Sequence, residues 1–445
     1  MKELIRLFLS CSFVLVVLLS HAQKKVILDT DPSYDPDDAG CMAMLHAMAN
    51  QGECYILAVI NSTNHKESPI AISAINHFFN RGAIPVGDYK GYAEKIDAPG
   101  DTYDGLVAKN YPAPVKSWEE ARDGVSLYRE ILAAAKEKSI TVVIIGTMHN
   151  FYGLLQSGPD RNSTLTGKEL VKEKVAEVVT MGGNFIDGKG LDRTNWGGAE
   201  ELCSYTDWSC VKEERNAMCR YVIENCQAPF IASGWEVGCG DYYNAEYGNV
   251  ITGQGLKGLA EDHIIRKSYE FHFQFRGGAE DISRHSNDQC ALHYAIRGEA
   301  NNYVAVKNGK ISLSEKGVCA WSEQAGGVQG YIQKNRDKEL IAEEIEALML
   351  ADTPEPVTQA PIAPANFKAE KKVDHMTVSW DHSKASNDGS WVIGYDVFVS
   401  GALQSRVHGN QFHGKLSEKE LATLEVRSVN ASGTVSAPTK FSDRP

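Results

Sequence analysis

KVILDTDPSYDPDDAGCMAMLHAMAN, residues Lys25–Asn50, is the stretch from which the fold is read. Val26-Ile27-Leu28 is a short apolar run of the kind that forms a fully buried parallel strand. It runs into five aspartates within ten residues: Asp29, Asp31, Asp35, Asp37 and Asp38. A helix is predicted next, with Asp35 as N-cap, Pro36 in the first helical position, and Asp37 and Asp38 in the first turn, where the helix dipole favours negative charge. Asn50-Gln51-Gly52 stops it. Carboxylates crowded at one strand-to-helix junction repel each other, and a hard cation with all-oxygen ligands relieves that repulsion far better than a helix terminus does. The pattern therefore points to Ca²⁺ (or Mg²⁺), against the plainer reading of an acidic, solvated loop.

Working outward, the chain has 445 residues, long for one domain, so two are expected. Lys2 and Arg6, the apolar Leu7–Leu19 and Ser20-His21-Ala22 read as a signal peptide over residues 1–22, which implies export to a periplasm or the exterior. The formal charge is −13, and losing Lys2, Arg6 and Glu3 makes it −14. Such an acidic body argues against a nucleic-acid partner. No later stretch reaches the ~20 apolar residues of a membrane span. Nine cysteines remain after residue 22, an odd number, so some are free to pair and at least one must stay single. Without a CxxC, zinc is not expected.

Buried strands are predicted at Glu53–Asn61, Ile84–Val86, Ile140–Ile145, Val175–Met181 and Pro229–Trp235, alternating with helices at Pro69–Arg81, from a Ser117–Glu120 capping box to Lys138, and to about Asn225. Residues 90–116 read as an ordered loop over a site, Gly255–Phe275 as helix, Val304–Leu313 as a hairpin turning at Asn308-Gly309, and Lys338–Leu350 as a terminal helix. The alternation over residues 24–350 predicts an α/β fold, a mainly parallel sheet flanked by helices, with its site beyond the carboxyl ends of the strands. Four prolines mark residues 351–365 as a linker. Short alternating strands follow at 366–445, a small all-β sandwich that resembles a fibronectin type III domain, usually a spacer or a binding arm for a glycan or protein.

Asp29-Thr30-Asp31-Pro32-Ser33-Tyr34-Asp35-Pro36-Asp37-Asp38-Ala39 resembles the D-x-D-P-G-x-D-D-A signature of the nucleoside hydrolases, the inosine-uridine-preferring ribohydrolase family. It differs by two extra residues and by Ser33 in place of Gly. The DxD of haloacid-dehalogenase-type phosphatases fits less well, because Ser33 stands where they need Thr or Val. The resemblance continues in Ile145–Asn150, in Met181-Gly182-Gly183, in Asn195 with Glu201 and Asp207, and in Asn287-Asp288-Gln289-Cys290-Ala291. It implies Ca²⁺ held by Asp31, Asp38, the Ile145 carbonyl and Asp288, with Asp31 also the general base. It implies sugar contacts from Asp37, from Asn64 (with Asn61 an open alternative), and from Asn195 and Glu201. Cys203 replaces a family Asn, and Asn287 replaces the histidine often invoked as leaving-group acid; Asn287 is kept as substrate-facing. His285 is an alternative proton donor, Asp207 a helix cap, and His149 a surface histidine. Alone, Asp288 would read as a helix-start charge. The expected activity is hydrolysis of the N-glycosidic bond of a small-molecule ribonucleoside. A hydrolase of another furanoside and an inactive sugar-binding protein remain alternatives, and a homo-oligomer is left open.

Overall fold

The structure is a computed structural model that describes residues 23–185, 195–197, 212–239, 248–275, 278, 280–355, 357–373, 375–384 and 391–441. The signal-peptide reading of residues 1–22 lies outside them, as do Glu201, Cys203 and Asp207.

The first half of the chain runs β1 (Lys24–Thr30), α1 (Asp37–Asn50), β2 (Cys54–Asn61), α2 (Ser68–Phe78), β3 (Val86–Asp88), α3 (Tyr103–Asn110), β4 (Arg122–Asp123), α4 (Gly124–Ala134), β5 (Ile140–Ile144), α5 (His149–Gln156), α6 (Gly167–Lys174) and β6 (Val175–Met181). There follow α7 (Lys212–Asn225), β7 (Phe230–Ser233), α8 (Trp235–Gly238), β8 (Ile251–Thr252), α9 (Ile264–Gln274), β9 (Arg284–His285), α10 (Asn287–Arg297), β10 (Tyr303–Leu313), β11 (Cys319–Glu323), β12 (Gln329–Lys334) and α11 (Lys338–Met349). Ten strands form one sheet in the order β11-β10-β12-β7-β6-β5-β1-β2-β3-β4. It is parallel from β4 to β12, and β10 and β11 add an antiparallel margin. The chain winds from β1 toward β4 on one side and from β5 toward β7 on the other. The topological switch therefore falls between β1 and β5, the position at whose carboxyl side α/β sheets of this kind bind their ligands. Val26, Ile27 and Leu28 are fully buried, as expected of a central strand covered on both faces.

Several sequence expectations shift. Residues 90–116 contain the helix α3, whose Tyr103, Asp104 and Val107 face inward. The Ser117 box closes only a turn, Glu120 N–H to Ser117 O at 3.2 Å, and the helix starts at Gly124, capped by Asp123 accepting from Ser126 N–H at 2.7 Å. The third strand is Val86–Asp88 rather than Ile84–Val86. Residues 255–275 break into a 3₁₀ turn (Gln254–Gly258) and α9. Asn308 adopts φ +64°, yet it makes a bulge inside a continuous β10 instead of a hairpin, because partners on both sides hold the strand straight. All seven described cysteines are buried, and Cys41, Cys54, Cys226 and Cys290 are free thiols.

Residues 365–440 form two antiparallel sheets, one of three strands (Ala365–Lys371, Met376–Asp381, Gln411–Gly414) and one of four (Val392–Val399, Ala402–Val407, Glu425–Asn430, Thr439–Lys440). Phe367, Trp380, Tyr395, Val397, Phe412 and Val426 share a core between them. This unit is docked, not dangling: Trp391 Nε1–H donates to Ile56 O at 3.1 Å, and Ala83 N–H to Ala431 O at 3.1 Å.

Candidate metal and sugar site

Each aspartate of the β1–α1 junction has a different environment. Asp29 is the second-last residue of β1 and is fully buried. Asn150 Nδ2 and the Tyr128 hydroxyl donate to its two oxygens at 3.1 and 3.2 Å, yet burial pushes its carboxyl up to about 8. Asp29 is thus a structural member of the strand end. Asp38 accepts from Asp31 N–H at 3.1 Å and from the Thr30 hydroxyl on the same oxygen. Burial outweighs these bonds and raises Asp38 to about 7.

Asp35, expected as the N-cap of α1, is not one. Pro36 occupies the cap with no side-chain bond, and Asp35 is gripped by Arg284, whose Nε lies 2.8 and 3.0 Å from its two oxygens. A charge-assisted, two-pronged guanidinium contact is stronger than a neutral cap, so the arginine wins. Burial opposes the charge of Asp35, but Arg284 prevails and brings it to about 2.

Asp37 and Asp38 open α1, and Asp288 opens α10, 250 residues later. Their carboxylate oxygens lie within 4.8 Å of one another, and all three side chains are buried. Gly40 allows this approach: a Cβ there would come within 2.5 Å of the Tyr269 hydroxyl and 2.7 Å of Gln289 Nε2. The two helix N-termini converge on the triple and favour its charge, but not enough. Burial first, and then mutual repulsion, hold Asp37 and Asp288 well above the ordinary carboxylate range. Asp31 lies outside the triple, joined to Asp38 through its backbone, and its carboxyl is raised by burial and then by Asp38 and lowered by Arg215. The structure thus places Asp37, which the resemblance gives to the sugar, beside the ligand candidates Asp38 and Asp288. An all-oxygen set of buried carboxylates with no cation among the three suits a hard divalent ion.

The other expected residues divide into two groups. Ile145 O and Asn195 meet, with Asn195 Nδ2–H donating to that carbonyl at 2.5 Å and to Met181 O at 3.4 Å. Asn61 spends its side chain on folding, donating to Thr63 O at 3.0 Å and to Asp88 at 2.8 Å and accepting from Thr63 N–H. Asn64, by contrast, has a buried Oδ1 without a partner among the described residues, and so does Asn287. Such atoms are costly unless a ligand satisfies them. Of the two loop asparagines, Asn64 is the one left available. His285 lies in β9, paired with Ile251.

Three features escaped the sequence reading. Tyr103 buries its hydroxyl with no hydrogen-bond partner among the described residues, and the charges of Asp38 and Asp104 face it. Arg215 of α7 approaches Asp31 and His149 closely enough to perturb both. His149 is half-buried rather than a surface residue, its ring centroid 5.1 Å from that of Tyr89 and 4.9 Å from that of Tyr92. The Tyr-rich composition of residues 89–103 was the available signal.

No protein-family model and no curated protein matches the sequence. Solved structures do match the fold. A plant nucleoside hydrolase superposes with TM-score 0.50 and 17% identity over 74% of this chain and 99% of its own. The purine-preferring ribonucleoside hydrolase from Gardnerella vaginalis gives TM-score 0.52 and 13% identity over 73% of this chain and 98% of its own. The chain therefore has the nucleoside hydrolase fold over about three quarters of its length.

Proposed function

We propose that this protein is an exported, Ca²⁺-dependent hydrolase of the N-glycosidic bond of ribonucleosides, releasing free base and ribose. One observation carries the reading: Asp37 and Asp38 meet Asp288 within 4.8 Å at the carboxyl end of the sheet. The nucleoside hydrolase fold of the structural neighbours supports the reaction class. Residues 1–22, lying outside the described part, supply the export signal in this reading. The three- plus four-stranded sandwich supports a fibronectin type III-like module.

Asp38 and Asp288 would hold the ion, with Asp31 and the Ile145 carbonyl closing on it. A bound Ca²⁺ supplies Lewis-acid polarisation of the attacking water and a template for sugar hydroxyls. Asp31 would serve as general base toward the attacking water, a contribution of about 10²–10⁴-fold. Asp37 accepts from one ribose hydroxyl, Asn64 offers its unpartnered Oδ1 to another, and Asn195 with Glu201 holds the far side of the sugar. Asn287 cannot give up a proton as the family histidine would, so it contributes a hydrogen bond at most.

The test is chromatography of nucleosides and other furanosides incubated with the full chain, with and without a chelator. The account predicts free base from a ribonucleoside, lost on chelation and restored by Ca²⁺. Release from non-nucleoside furanosides alone, or undiminished release with chelator, contradicts it.

A further inference from the structure

His149 leads α5, four residues beyond Ile145, and belongs to a small hydrogen-bonded cluster at the mouth of the sheet. The Tyr92 hydroxyl donates to Ser62 O at 2.5 Å, and the Thr147 hydroxyl reaches the same carbonyl at 3.4 Å. Both hydroxyl oxygens also face His149 Nδ1, Thr147 at 2.7 Å and Tyr92 at 3.3 Å. Each hydroxyl has a single hydrogen. If both hydrogens go to Ser62 O, both oxygens have lone pairs turned to Nδ1, and all four contacts are satisfied at once when Nδ1 carries a proton. The opposite tautomer would set the Tyr92 oxygen against a second lone pair. Burial, with Arg215 and Lys95 nearby, holds the ring at about 3, so it is neutral at physiological pH. A neutral ring protonated on Nδ1 has a lone pair on Nε2, and the hydrogen bonds of the ring to Tyr92 and Thr147 are both made through Nδ1.

The surroundings indicate what Nε2 meets. Tyr89 and Tyr92 cross edge to face at 5.0 Å, and both lean on the imidazole, making an aromatic wall beside the carboxylates. Lys95 secures the wall, with Nζ 2.7 Å from Asp88, 2.8 Å from Thr63 O and 5.4 Å from the Tyr92 ring centre. Sugar hydroxyls belong with the carboxylates, and the flat leaving group with the rings.

We infer that His149 is a specificity-determining residue, fixed by Ser62, Tyr92 and Thr147 as the Nδ1–H tautomer, whose Nε2 accepts a hydrogen bond from an N–H of the departing base. This rests on the N-riboside reading above. It favours bases with a ring or exocyclic N–H over those without one, and it excludes His149 as the leaving-group acid.

Two experiments on the full chain test it. The ¹⁵N spectrum of the labelled protein, with His149 assigned by the His149→Asn variant, is expected to show a protonated Nδ1 and an unprotonated Nε2. The reverse pattern overturns the inference whatever the activity. His149→Asn keeps a polar atom near Nδ1 and removes Nε2; His149→Gln replaces the Nε2 acceptor. With Ca²⁺ present, His149→Asn is expected to lose about tenfold to hundredfold in kcat/KM on inosine, whose base carries an N–H, with little loss on purine riboside, whose base lacks one. His149→Gln should recover part of the inosine activity. Equal losses on both ribosides would make His149 merely structural and overturn the role. Absence of turnover of any riboside by the unsubstituted protein, with the tautomer as stated, would remove the N-riboside reading and the base contact with it.

Discussion

At the carboxyl end of the sheet, Asp37, Asp38 and Asp288 crowd within 4.8 Å while Asn64, Asn287 and Tyr103 bury polar atoms with no partner among the described residues. At the amino end of β2 the chemistry is closed. Trp391 gives its N–H to Ile56 O, the Arg81 guanidinium lies 5.2 Å over the Trp391 ring, and Asn80 Nδ2–H bonds Pro354 O at 2.7 Å. Alongside, Glu130 of α4 takes the N–H of His408 and the guanidinium of Arg122. Both regions join segments far apart in sequence. One leaves charge and hydrogen-bonding capacity unspent; the other commits most of its polar groups to the contact between the sandwich and the sheet. The C-terminal sandwich thus packs against the α/β body at the end of the sheet away from the carboxylates.

Breaking the front is expected to cost the most activity. Asp31→Ala should lower kcat by about 10²–10⁴-fold while far-ultraviolet circular dichroism stays native; normal turnover would end the general-base assignment. Breaking the back should do the opposite. Trp391→Ala leaves a cavity and an orphaned carbonyl at the interface, for an expected loss of about 3 kcal/mol in urea unfolding, with the rate per folded molecule unchanged.

The contrast sharpens with pH. Burial raises Asp29 to about 8 and Asp38 to about 7 in the folded chain, far above the unfolded value of 3.8. Between those limits the folded state holds protons that the unfolded chain has lost, so metal-free stability is greatest in acid and falls as pH rises from about 4 to about 8. Cation binding needs Asp38 ionised and releases its proton. The rise in melting temperature caused by Ca²⁺ should therefore grow between pH 5 and pH 8, and an equal rise at both would contradict the assignment. The smallest effect is expected at the rim of the site. Asp35 and Arg284 are each about a quarter to a third exposed, and a double-mutant cycle of Asp35→Asn with Arg284→Met should give a coupling near 1 kcal/mol.

The parts legible in the sequence were those fixed by local patterning. β6 and the first helix boundary at Asn50 follow from a mainly apolar, β-branched run and from a clear stop. The convergence on Asp288 was also anticipated, though by motif resemblance rather than by periodicity. What sequence could not supply was competition between partners. Asp35 looks like a cap until Arg284, 249 positions away, takes it. Ser117-Trp118-Glu119-Glu120 looks like a helix start until Arg122 and Asp123 are recruited to the sheet edge beside β3. Asn308-Gly309 looks like a turn until β11 and β12 clamp both sides of it. Asp37 stands beside Asp38 and Asp288 for the same reason, while Asp31 is joined to Asp38 through its backbone N–H: with carboxylates this close in sequence, the path of a lengthened loop decides how each is placed toward Asp288.

The most direct test is calorimetric titration of the full chain with CaCl₂ at pH 7.5, repeated with Asp38→Asn and Asp288→Asn. The account predicts one site per chain in the unsubstituted protein and loss of that site in each variant, with both variants still folded. Undiminished binding in Asp288→Asn would show that the two ends of the chain do not share an ion, and the proposed chemistry would fall with it.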